Sequence, residues 1–195
     1  MALSMPLDLK RALMQASKNP DAWRRAQALS GLAERSLEPF VEKILREAVA
    51  AAYEGRDAYK IVAGMSWPLQ AALNRGCNAF AALERDRILQ LAPKVEPRAS
   101  RAYALQLLWG GCHAGGDQFA QPVWRAILQL CNPDHNWREA QLYRHIAEIK
   151  ESRRPGAAAE VIAAMPIGKT RAKLERRFGL VKPTTPNPKG SAETA

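Results

Sequence analysis

Thirteen prolines punctuate this chain, and nearly every stretch between them repeats its apolar residues at the three-to-four interval of a helix. Inside a helix a proline removes a donor and clashes with the preceding turn, so each one limits where a helix can run. No segment shows four or more residues of strict apolar/polar alternation between turn signals. The β-branched and aromatic runs that strands need are also missing. Alanine, the best helix former, supplies 35 of the 195 residues, and Leu, Arg, Gln and Glu, close behind it in propensity, are plentiful. The expectation is an all-α fold: a compact domain of about 9–11 short helices, with HEAT-like helical-repeat stacking as the alternative.

The punctuation predicts where the helices lie. The first spans about Leu7 to Ser17. Asn19-Pro20 reads as a cap and first-turn proline for a second running to about Glu34. Ser36 reads as the cap of a third, with Pro39 in its first turn. There Phe40, Ile44 and Ala48, widened by Val41, Leu45, Val49 and Ala52, form a broad buried face. A short helix over Asp57–Ala63 ends at Gly64. Ser66 then caps a helix or helix pair covering Leu69–Leu91, broken at Asn74-Arg75-Gly76. Arg98–Trp109 is helical, and Gly110 to Gly116 reads as the most flexible interior stretch. Pro122 opens a helix to Cys131, and Asn132-Pro133-Asp134 turns into one through Lys150. Pro155 opens a short alanine-rich helix, and the last helix runs from about Gly168 to Phe178. Residues 1–150 are expected to form a helical core domain, 151–181 a basic helical extension packed on it, and 182–195 a disordered tail. Ile88-Leu89-Gln90-Leu91 returns as Ile127-Leu128-Gln129-Leu130, a period near that of HEAT-type helix pairs but a thin repeat signal.

Charge is uneven along the chain. The formal net charge is +10, and residues 151–195 hold nine basic and four acidic groups, half of that excess. Such asymmetry points to an anionic partner. At helical spacing Ile167, Leu174 and Phe178 fall within about 40° of one another and can dock on the body. Lys169, Lys173 and Arg176 fall on the opposite side, flanked by Arg171 and Arg177. Arg153 and Arg154 precede this element, and Lys182 extends the charge beyond it. These eight residues are the candidate contacts to DNA or RNA phosphates, since each neutralised phosphate releases a condensed counterion. The competing reading is a solvated helix face that keeps the protein soluble. Ala157–Ala164 followed by Gly168–Phe178 has helix-turn-helix lengths, but Pro166 occupies the turn and Glu160 a position that should be apolar, so sequence-specific readout is not expected.

Other chemistry has less support. Cys112, His113, Cys131, His135 and His145 fall close together, but no Cys-x-x-Cys occurs and Asn132-Pro133 breaks the one useful spacing, so no metal site is expected. A Cys112 nucleophile with a histidine base is conceivable and disfavoured. The glycines around Cys112 are not a phosphate-binding loop, and no cofactor is expected. Most of the five tryptophans belong in a core. Trp67 and Trp137 are the ones expected to be partly exposed, able to stack on bases or anchor a partner protein. No apolar run is long enough for a membrane span, the opening residues do not resemble a secretory signal, and three cysteines make no disulfide framework. The expectation is a cytoplasmic, non-enzymatic protein that binds nucleic acid or a nucleoprotein assembly. The rival is a protein–protein adaptor with a helical-repeat-like surface, and a Cys/His-dependent enzyme is the third class.

Overall fold

A computed structural model describes residues 5–181, and the tail expected over 182–195 lies outside them. The described residues form eleven α-helices and one 3-10 turn, with no strand. The helices are α1 (Leu7–Ser17), α2 (Ala22–Arg35), α3 (Val41–Tyr53), α4 (Ala58–Gly64), α5 (Ser66–Asn74), α6 (Asn78–Leu89), α7 (Arg98–His113), α8 (Asp117–Leu130), α9 (Trp137–Arg153), α10 (Ala158–Ala164) and α11 (Lys169–Arg177). None of them is long and apolar enough to cross a membrane.

One core joins them. α7 lies at its centre and packs against α4, α5, α8 and α9, while α2, α3 and α5 form the neighbouring layer. The apolar face read from α3 is buried as expected, with Val41, Ile44, Leu45 and Ala48 fully inside. Alanine also shapes the packing. Ala26, Ala33, Ala63, Ala72, Ala81 and Ala102 are completely buried, and their small side chains let helix backbones approach closely around larger Trp109, Leu105 and Leu108.

The ends of the helices depart from the sequence expectations in instructive ways. Asp21, not Asn19, caps α2 by accepting the Arg24 amide at 3.0 Å, while Asn19 supports Asp21 itself. Ser36 closes α2, its hydroxyl donating to the Leu32 carbonyl at 2.7 Å, so α3 begins at Val41, after Pro39. α8 begins at Asp117, five residues before the expected start, and carries Pro122 inside it. α7 does not stop at Trp109 but continues through Gly110 and Gly111 to His113. At Gly111 α7 presses on the start of α5: a Cβ there would stand 2.4 Å from the Ser66 carbonyl oxygen. Glycine at this point permits contact between backbones rather than flexibility.

Candidate nucleic-acid interface

The interface is framed by the N-terminus of α9 and by α11. α9 starts at a reciprocal cap. The Asn136 side chain accepts the Arg138 and Glu139 amides, each at 3.0 Å, and donates to the fully buried Glu139 carboxylate at 2.5 Å. The other Glu139 oxygen accepts the Asn132 amide, which ties the preceding turn to the helix. This arrangement has the logic of a capping box. It leaves Trp137, the first residue of α9, pointing outward at 67% exposure.

α11 owes its position to the same turn. Asp134 accepts the Lys169 amide at 3.0 Å and the Thr170 amide at 2.9 Å, and the Thr170 hydroxyl donates to the Pro133 carbonyl at 3.1 Å. A carboxylate here satisfies otherwise unpaired first-turn donors and complements the helix dipole. A Cβ on Gly168 would sit 1.8 Å from the Asp134 oxygen, so the close approach requires glycine. Hydrogen bonds from Thr170, and then from the Lys169 amide, hold the Asp134 carboxyl below its usual range.

With its N-terminus fixed, α11 lays Leu174 into the core at 3% exposure and rests the half-buried Phe178 beside it. Ile167 does not join them. It is 94% exposed, because it precedes the helix and helical spacing does not extend to it. Lys169, Lys173 and Arg176 are all exposed, and among the described residues none is within ion-pair distance of a carboxylate.

The remaining expected contacts divide. Arg171 is engaged internally by Glu175 at 2.9 Å and by the carbonyls of Ala163 and Met165. Arg177 pairs with Glu148 at 2.6 Å, and Arg154 with Glu160 at 2.5 Å. Arg153 is exposed at the end of α9, and among the described residues it has no carboxylate partner. Lys182 lies outside the described residues.

A groove of about 550 Å³ runs between α9 and α11, lined by Trp137, Gln141, Arg144, Thr170, Lys173 and Arg177 among others. Arg144 and Arg177 share the single carboxylate of Glu148, at 3.9 and 2.6 Å, so with Lys173 the groove keeps an excess of positive charge. At its end the Arg138 guanidinium lies 5.2 Å from the centre of the Trp137 ring. Beyond Trp137 a smaller pocket of about 280 Å³ leads to Tyr103. Tyr103 is 40% exposed and begins a file of half-buried aromatic rings. It stacks on Tyr59 at 6.4 Å, and Tyr59 stacks on Trp23 at 6.3 Å. Trp67, expected to be partly exposed, is half-buried and meets Trp23 edge-on at 4.7 Å.

The Cys/His cluster does not converge. Among the described residues no group of three His, Cys, Asp or Glu side chains could hold a metal ion. Burial pushes the thiols of Cys112 and Cys131 up to about 12, the reverse of an activated thiolate. His135 is drawn to Arg98 at 2.6 Å on the surface instead.

Comparison with protein-family models, curated proteins and solved structures gave no match.

Charge counting missed Arg144 in the groove and Arg138 at its end beside Trp137. Residues 101–150 are nearly neutral overall, and only the pairing of α9 with α11 makes Arg144 part of the opposite wall. Their spacing on α9 beside the outward Trp137 was the available signal.

Proposed function

We propose that the protein binds single-stranded nucleic acid along the α9–α11 groove, through its phosphate backbone and without reading base sequence. The observation that carries this is the meeting of Arg144, Lys173 and Arg177 with the exposed Trp137 in one groove. Cations tracking a backbone beside an aromatic ring that can take a base on its face is the general design for single strands. Every base has a π-face, so such stacking tolerates any sequence. A duplex keeps those faces stacked inside and would use the cations alone. Lys169 and Arg176 on the outer side of α11 extend the positive surface for additional phosphates.

Equilibrium binding of a fluorescent single-stranded oligonucleotide and its duplex at low salt tests this reading. The single strand is expected to bind more tightly, in either DNA or RNA form, and to quench Trp137. No binding at low ionic strength, or a preference for the duplex that Trp137→Ala leaves unchanged, overturns it.

A further inference from the structure

We propose that a second anion site, apart from the groove, is built at the N-terminus of α8 and accepts a phosphate or a phosphate monoester. The 14-residue α8 is entered through Gly116, whose φ of +87° lies in the left-handed region that glycine tolerates. Among the described residues no side chain caps its first amides, which leaves the positive end of the helix available to an anion. A pocket of about 190 Å³ opens there, lined by His113, Gly116, Asp117, Lys150, Arg153 and Arg154. The last turn of α9 supplies Lys150 and Arg153, and Arg154 follows as its cap.

His113 supplies a second, independent observation. Its side chain is only 5% exposed, its ring stacks on Trp109 at 4.4 Å, and neither ring nitrogen forms a hydrogen bond, Nδ1 standing 3.4 Å from an Asp117 oxygen without making one. A neutral imidazole carries one donor and one acceptor, and buried polar groups are almost always paired. The unpaired ring forms part of the wall of a pocket rich in cations. Burial, and then the charge of Arg153, hold His113 below its usual range and so keep it neutral. A neutral ring can donate one N–H to a phosphate oxygen.

Asp117 is the one carboxylate in the lining. Its oxygens lie 3.0 Å from Lys150 Nζ and 3.4 Å from His113 Nδ1. Lys150 is paired with Asp117, and Arg154 with Glu160 at 2.5 Å, so Arg153 is the cation left unmatched and a phosphate brings the negative charge it lacks. Asp117 therefore competes with the ligand for Lys150, and removing its charge strengthens the site.

Amide and imidazole NMR shifts of the full chain, titrated with inorganic phosphate against chloride at constant ionic strength, test the proposal. Saturable shifts are expected at residues 116–119 and at His113. Arg153→Gln, which breaks no ion pair among the described residues, should weaken phosphate binding at least about fivefold, and Asp117→Asn should tighten it. A second arm compares 5′-phosphorylated and unphosphorylated oligonucleotides on the groove variant Lys173→Glu/Arg177→Glu, which separates a strand terminus from free phosphate. The phosphate response should persist in that variant, so the site stands or falls independently of the groove. Linear shifts equal to those in chloride, or a saturable response unchanged by Arg153→Gln, overturn it.

Discussion

Asp134 and Thr170, 36 positions apart, are joined through the Thr170 amide at 2.9 Å. With the neighbouring Lys169 amide, this contact fixes the direction in which α11 leaves the body of the protein. Asp134→Ala removes the acceptor for both amides while leaving the buried Leu174 in place. The expected result is local: amide exchange across residues 169–173 accelerates by about tenfold or more, while the centre of α7 keeps its protection. Gly168→Ala should act in the same direction, because its new methyl group displaces the same carboxylate. Uniform acceleration throughout the chain would mean that the contact supports global stability instead.

Trp137→Ala should weaken single-strand binding without unfolding the domain, since the ring is largely exposed. A stacked base contributes about 1–3 kcal/mol, so affinity is expected to fall roughly 5- to 150-fold. Fluorescence anisotropy checks this. Circular dichroism of the variant should be unchanged.

His113 makes stability depend on pH in a defined direction. Burial and Arg153 place its folded value below the unfolded value of about 6.5. The unfolded chain therefore binds the proton more readily. The contribution of neutral His113 is complete above about pH 7 and declines as pH falls from about 6.5 toward the depressed folded value. A single proton contributes a slope of at most about 1.4 kcal/mol per pH unit. Urea midpoints between pH 8 and pH 5 should show this decline, and His113→Phe should flatten it.

Gly110 and Gly111 are adjacent in α7 yet should respond oppositely to alanine. The added methyl on Gly111 meets the Ser66 carbonyl oxygen at 2.4 Å, whereas nothing lies within 4 Å of one on Gly110. Gly111→Ala is expected to destabilise by about 1–3 kcal/mol through overpacking. Gly110→Ala should be neutral or stabilise by up to about 1 kcal/mol through helix propensity. Chemical denaturation of the two variants gives the comparison directly.

How far the sequence disclosed this arrangement depended on the range of the interaction. The all-α class and the buried face of α3 were legible because helical periodicity is local. The exposed Lys169, Lys173 and Arg176 were legible for the same reason. Boundaries set by tertiary contact were not. Gly110 and Gly111 read as a loop because nothing local announces that α7 must touch Ser66. Asp117 starts α8 ahead of Pro122, so a proline that usually opens a helix lies inside one. Ile167 was misassigned because helical geometry was extended one residue past a glycine. At the candidate interface, the α11 cations could be found by counting charges. Arg144 and the file from Trp23 through Tyr59 to Tyr103 could not, because these residues come together only when separate helices pack.

Direct contact between the α11 cations and phosphates is measured by the salt dependence of binding. The affinity of a single-stranded oligonucleotide should be recorded across a range of salt concentrations for the wild type and for Lys169→Glu/Lys173→Glu/Arg176→Glu. Each phosphate contact contributes about 0.7 to the slope of log affinity against log salt on a single strand. Loss of three contacts should therefore reduce the slope by about 2 while the helical content stays unchanged. A folded triple variant with the wild-type slope and affinity would contradict the account.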